Sequence, residues 1–174
     1  MKNTEYRISK STIEAFKIRS NEMYWADINI DANGTQGRIQ IASDFGNWQN
    51  FWGACGTSFY EFLAKLNIDY FAGKVGANKW FDLDKTIKYL EERIEDCAED
   101  KSHKKTLLKE LSELKNISGE GEFIYQVQKC EEIMIMENYT PDMTYSIEPG
   151  FKRFWNEIWP VFINEISKVE TDKK

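Results

Sequence analysis

The sequence predicts an α+β fold: an N-terminal antiparallel meander of three or four strands with a covering helix, then a mainly helical, acidic C-terminal part. Three observations carry this expectation. Between residues 22 and 52 apolar and polar side chains alternate, the period of half-buried strands. From Leu83 onward apolar residues recur at steps of three and four, the period of a helix with one buried stripe. Seven of the ten glycines lie between Gly34 and Gly76, where short strands need tight turns. With 174 residues the chain suits one domain, or one with a helical appendage. The change of texture falls after Asp82, giving residues 1–82 and 83–174 as two parts packed on each other, or as a single domain.

A first strand is expected over Thr12–Arg19, from Phe16 and Ile18. The clearest strand is Glu22–Asp31, where Tyr24, Ala26, Ile28 and Ile30 alternate with Trp25, Asp27, Asn29 and Asp31. Ala32-Asn33-Gly34-Thr35 supplies the residues of a hairpin turn. Arg38–Ser43 continues with Ile39 and Ile41 on one face. A second turn, Ser43–Asn47, leads to a strand from Trp48 to Phe51 or Trp52. Ser58-Phe59-Tyr60-Glu61 has the spacing of a capping box, and Phe59, Phe62, Leu63 and Leu66 make the stripe of the covering helix. A second short helix starts at Asn67 and runs out by Gly73.

In the helical part, Ile87, Leu90, Ile94 and Cys97 form a seam that Leu108 and Leu111 continue in phase. Either one helix runs from Leu83 to about Lys115, or two break near Ser102. Ser118–Gly121 is a loop, and Glu122–Asn138 a helix with Phe123, Val127, Cys130 and Met134 on one side. Tyr139–Gly150 reads as irregular. Phe151–Val169 is a helix, and Pro160, which lacks an N–H, predicts a kink near Asn156–Trp159.

Composition excludes several classes of function. No apolar run is long enough to span a bilayer, and the polar start, Met1-Lys2-Asn3-Thr4-Glu5, predicts no secretory signal. One histidine, His103, excludes multi-histidine metal sites. Cys55, Cys97 and Cys130 are odd in number and widely spaced, which suits a reducing compartment and core packing. The net charge is −6: residues 1–82 hold nine basic and nine acidic groups, so all net acidity belongs to residues 83–174. Such a field repels phosphate backbones and attracts basic surfaces, so direct nucleic-acid binding is disfavoured.

Candidate chemistry is sparse. Asp44-Phe45-Gly46 matches the magnesium-binding tripeptide of kinases but stands without the other kinase motifs, and reads as a turn. Gly53, Gly56, Thr57 and Ser58 lead a strand into a helix start, where amides cradle anions in other proteins. The missing P-loop lysine and the carboxylate of Glu61 favour plain capping there. Paired carboxylates such as Asp27 with Asp31, or Asp82 with Asp84, leave a divalent-ion-dependent hydrolase as an alternative, but no spacing singles out catalytic or metal-ligating residues. The strongest feature is an acid stripe. Glu91, Glu95 and Glu99 form one i, i+4 row and Glu92, Asp96 and Asp100 the next, with carboxylates about 6 Å apart along the axis. Trp48 and Trp52 are core residues or, on the exposed face, a binding patch.

Trp25, the run Gly37-Arg38-Ile39-Gln40-Ile41-Ala42-Ser43-Asp44-Phe45-Gly46-Asn47-Trp48, Trp52-Gly53, Gly56, Phe62-Leu63, Tyr70 and Lys74 together resemble a group of small bacteriophage and prophage proteins. The resemblance covers under a third of the chain and carries over no catalytic residue. It implies a protein made by a phage in the cytoplasm of a bacterial host, in the company of inhibitors of host defence such as anti-CRISPR proteins. Joined to the acid stripe, it leads to the expectation of a binding protein without cofactor that occludes the basic surface of a host defence protein. The alternative is a binder of a small anionic ligand, such as a nucleotide signal, at Gly53–Ser58.

Overall fold

A computed structural model describes residues 6–8 and 10–171, with side chains to Lys168. The fold is α+β, as expected. Strands β1 (Glu14–Arg19), β2 (Trp25–Asn33), β3 (Gln36–Ser43) and β4 (Gly46–Trp52) form an antiparallel meander in the order β1-β2-β3-β4. Helices α1 (Phe59–Ala64) and α2 (Ile68–Val75) follow, then α3 (Leu83–Cys97), α4 (Lys101–Leu114), α5 (Glu120–Val127) and α6 (Glu131–Met136), and finally α7 (Pro149–Glu157) and α8 (Trp159–Thr171). Two-residue strands β5 (Trp80–Phe81) and β6 (Tyr145–Ser146) pair with each other.

These elements form two compact units, and the division differs from a single boundary after Asp82. One unit comprises the chain up to Ala77 together with the chain from Ile147; the other is Asn78–Ser146. The last two helices therefore belong with the sheet. The reason is area. Four strands spaced about 4.8 Å apart present a face some 15–20 Å wide, whereas a six-residue helix is only about 9 Å long. Helix α1 alone cannot cover it.

The covered face carries Ala26, Ile28, Ile30, Ile39, Ile41, Trp48 and Trp52, all buried. Helix α7 lays Phe151 and Phe154 on Trp48, with ring centroids 5.0 and 5.3 Å away, and α8 sets Phe162 edge-on to Phe16 at 5.3 Å. From α1, Phe59 and Phe62 meet Trp52, whose indole N–H donates to Tyr70 Oη at 3.0 Å. Trp48 and Trp52 are thus core. Ser58 Oγ accepts from the Glu61 amide and starts α1, as the capping pattern predicts. Asp44, in the tripeptide turn, accepts from the Trp25 amide at 2.7 Å and ties two strands together. Strand β2 begins at Trp25 rather than Glu22, because Met23 takes a positive φ in the turn before it. The expected kink near Pro160 is a break at Ile158 between α7 and α8.

In the second unit the region 83–115 is two helices. The break comes at Ala98–Asp100, before Ser102, because Asp100 Oδ1 accepts from the amides of Ser102 and His103 at 2.7 and 2.8 Å. A new helix phase follows, so Leu107 is buried and Leu108 exposed, and Cys97 lies in the open. The expected helix 122–138 is also two, α5 and α6. A carboxylate from another helix permits this: Glu110 of α4 accepts from the amides of Glu132 and Ile133, the first turn of α6. The core joins Ile87, Leu90 and Ile94 of α3 to Leu107, Leu111 and Leu114 of α4, with Phe123, Val127, Cys130 and Ile133. Strand β6 lies in the stretch read as irregular; a two-residue ladder has no period to detect. At the unit's two ends Asp82 caps α3 through the Lys85 amide and accepts from Ser146 Oγ, while Lys85 Nζ donates to Ser146 Oγ at 2.7 Å.

Two predictions follow from this packing. A Cβ at Gly37 would lie 2.4 Å from the buried Phe59 ring, whereas one at Gly53 meets nothing nearer than 3.8 Å. Gly37→Ala is expected to destabilise the protein by about 1–3 kcal/mol and Gly53→Ala by less than about 0.5, read from denaturant midpoints. The Ser146 hydroxyl, against the opposing effect of burial and with the help of the Lys85 amide and ammonium, holds the Asp82 carboxyl below its ordinary value of 3.8. The stabilisation this brings is complete above that ordinary value and is lost as pH falls through the lower native value. Ser146→Ala should return the Asp82 carboxyl toward 3.8 in a ¹³C NMR titration and shift the acid unfolding midpoint upward.

Candidate functional site

The acid stripe changes shape once α3 ends at Cys97. Glu91, Glu92, Glu95 and Asp96 lie on the helix; Glu99 lies in the connection and Asp100 at the cap of α4. The continuous two-row ladder of the sequence reading is therefore cut to two carboxylates per row. Backbone N–H groups turned toward Asp100, first that of His103 and then that of Ser102, hold its carboxyl below the ordinary range, and these bonds commit it to the cap.

The hairpin also brings lysines of α4 against α3. Glu91 pairs with Lys115 at 2.7 Å and Glu95 with Lys104. Glu92 has only a 3.8 Å contact with Lys88 across one helical turn. No ion pair among the described residues involves Asp96 or Glu99. Three exposed carboxylates, Glu92, Asp96 and Glu99, thus remain weakly compensated or uncompensated. Exposed pairs contribute about 0–1 kcal/mol each, so the pairs of Glu91 and Glu95 do little for stability. What they do is remove one row from the outward field. A lysine partner for each glutamate of that row was not visible in local spacing, since Lys104 and Lys115 meet α3 only because the chain reverses at 98–100.

The charge is nonetheless confined to this unit. Residues 78–146 contain ten Lys and Arg against sixteen Asp and Glu, a net of −6, and the remainder of the chain is neutral. One carboxylate of the sixteen is internal. Glu137, whose side chain is 3% exposed, accepts from Arg93 Nε at 3.1 Å and from Tyr89 Oη at 3.3 Å. Burial, then the charges of Glu137 and Asp142, push the Tyr89 phenol above its ordinary range. With its oxygens partnered by Arg93, Tyr89 and the Asp142 amide, Glu137 reads as a brace between α3 and the end of α6. Nothing in the run Ile133–Glu137 signals that its last carboxylate turns inward.

At the other candidate, Gly53 and Gly56 are exposed and Thr57 and Ser58 half-buried. The Cys55 amide donates to Thr35 O at 2.7 Å, that of Phe59 to Gly34 O at 3.1 Å, and that of Glu61 to Ser58 Oγ. These bonds pin the strand-to-helix connection to the β2–β3 turn and leave fewer amides for an anion. Of the three cysteines, Cys130 is buried and burial pushes its thiol up to about 11; Cys55 is half-buried against the core of the sheet unit, and Cys97 is exposed, so core packing fails for Cys97 alone. Since Trp48 and Trp52 are internal, aromatic anchors in the acidic unit would have to come from Trp80, Tyr125 and Tyr139, which are more than half exposed. No group of three or more His, Cys, Asp or Glu side chains among the described residues is placed to hold a metal ion. Among the same residues, no helix is long and apolar enough to cross a membrane.

No curated protein and no solved structure matches the chain. One family model does: it is described as a phage family, Phage_phiTE_072, and its match spans residues 6–169, taking in both units. The chain belongs to this phage family.

Proposed function

We propose that the protein is a non-catalytic binding protein that docks its acidic unit on a basic surface of a host protein, of the kind bacterial defence nucleases use to hold nucleic acid, and occludes that surface. One observation carries the reading: the entire net charge of −6 lies in residues 78–146, with Glu92, Asp96 and Glu99 facing solvent. Membership of a phage family supplies the setting, a protein made during infection of a bacterium.

The physics assigns the charges a limited task. At physiological ionic strength the field of exposed carboxylates decays over about 8 Å, so it steers the approach and selects among partners. Affinity has to come from desolvated contacts at the centre of the interface, where exposed aromatics such as Tyr125 and Trp80 are suited to serve. Duplex DNA offers about one charge per 3.4 Å on each strand. Glu92 and Asp96, about 6 Å apart along α3, offer a sparser version of the same sign.

The reading is tested by affinity capture from a bacterial host lysate with three proteins: wild type, Glu92→Lys/Asp96→Lys/Glu99→Lys, and a control with the same net charge, Glu22→Lys/Glu113→Lys/Glu131→Lys. A partner held by wild type and control, lost from the first variant and captured poorly when about 0.5 M salt is present during binding is the expected result. Equal retention by both variants, or retention indifferent to salt, would remove the acid face from the function.

A further inference from the structure

We propose that the free edge of β1, with the cleft beside α8, is a docking site for an extended acidic segment of a partner protein, which adds to the sheet as a fifth strand. This site lies in the neutral unit and stands apart from the reading of the acidic one.

The direction of the backbone groups follows from one turn. Trp25 donates its N–H to Asp44 Oδ2, and its carbonyl accepts from the Asp44 amide at 3.3 Å, so the main-chain groups of Trp25 face β3. Main-chain groups alternate sides along an antiparallel strand. Those of Ala26, Ile28 and Ile30 therefore face β1, where they meet Ile18, Phe16 and Glu14. Ala15, Lys17 and Arg19 consequently aim three N–H and three C=O groups away from the sheet. Among the described residues β1 pairs with β2 alone and ends the strand order.

Beside this edge is a cleft of about 550 Å³ between β1 and α8. Its floor is apolar: Phe16 and Ile18 are half-buried, Phe162 is buried, and Val161 is 53% exposed. Among the described residues its charged groups are Lys17, Arg19 and Lys168 against the carboxylate of Glu165. Arg19 pairs with Asp27 at 2.7 Å and Lys168 with Glu165 at 3.1 Å; no ion pair among the described residues involves Lys17. A strand laid along this edge would place alternate side chains over Phe16, Ile18 and Val161, and the others beside Lys17 and Arg19. The first set is best apolar and the second acidic. An edge lysine also discourages pairing between like edges, which disfavours a second copy of this chain, because Lys17 at the centre of β1 would face a cation. The same charge welcomes an acidic strand.

The experiment titrates the full-length protein into a fluorescein-labelled peptide of alternating Val and Glu, long enough to span β1, and follows anisotropy. Three comparisons are made: a Val–Lys peptide, the Val–Glu peptide N-methylated at alternate amides in either register, and the Lys17→Glu protein. Lys17→Pro adds a fourth, since its N–H points outward and no ladder bond is lost. Saturable binding is expected that weakens roughly tenfold or more with the Val–Lys peptide, with both Lys17 variants and with the one N-methylated peptide whose blocked amides face β1, because charge and main-chain bonding both contribute. No saturable binding of the Val–Glu peptide, or equal binding of its N-methylated forms, overturns the proposal. So does a wild-type dimer in sedimentation that Lys17→Pro dissociates, which would make the edge an interface between copies.

Discussion

The structure depends on covering one face of a four-stranded sheet. Trp48 and Trp52 stand on that face with five smaller apolar side chains, and the segment just after β4 provides only a six-residue and an eight-residue helix. The missing area comes from Phe151, Phe154, Trp159 and Phe162, which are fully or almost fully buried. A buried aromatic of this kind contributes on the order of 2–3 kcal/mol relative to exposure, so four of them outweigh any local preference of the intervening chain. The C-terminal helices are held in the sheet's unit by that requirement. The chain from Asn78 to Ser146 is thereby an excursion that must leave and return.

An excursion must close on itself. The Asp82 amide donates to Thr144 O at 2.9 Å, β5 pairs with β6, and the side chains of Asp82, Lys85 and Ser146 join across the same ends. Inside, the unit has its own apolar cluster and an internal carboxylate neutralised by Arg93. The separation has an electrostatic consequence. Like charges on one compact body raise its self-repulsion and its outward field together. Confining all six net charges to the excursion leaves the sheet unit neutral and gives the molecule one acidic body, which is the arrangement a charge-steered binder needs.

The strands were legible because Tyr24–Ile30 and Arg38–Ser43 keep strict period two, and a period-two segment with one apolar face admits one placement. The start of α1 was legible because Ser58 and Glu61 act within one turn. What escaped the sequence is governed by distant partners. The α5–α6 break depends on Glu110, some twenty positions earlier, and the inward turn of Glu137 depends on Arg93 and Tyr89. The α3–α4 break lies between the two cases: Asp100 is a good cap two residues before Ser102, but the hydrophobic phase that runs on through Leu108 and Leu111 makes it look like a rung of the stripe. The acid stripe is altered in geometry for that same reason. Its compensation by Lys104 and Lys115 follows only from a reversal that local spacing does not encode.

The acidic face and the β1 edge, used as proposed, would act by different physics, and the difference would order any encounter that uses both. Carboxylates such as Asp96 act over about a Debye length with little demand on orientation, so they bias approach before contact. The main-chain groups of Ala15, Lys17 and Arg19 act only within hydrogen-bond distance and fixed alignment, so they contribute after contact and set the rate of departure. Raising salt therefore lowers the association rate at the acidic face in the main. At the edge it weakens the contribution of Lys17 and leaves the main-chain ladder intact. Neither device needs a preformed deep pocket. The demand instead falls on position, and each surface has a packed support: Arg93 ties the helix to Glu137, and Phe162 backs the strand at Phe16.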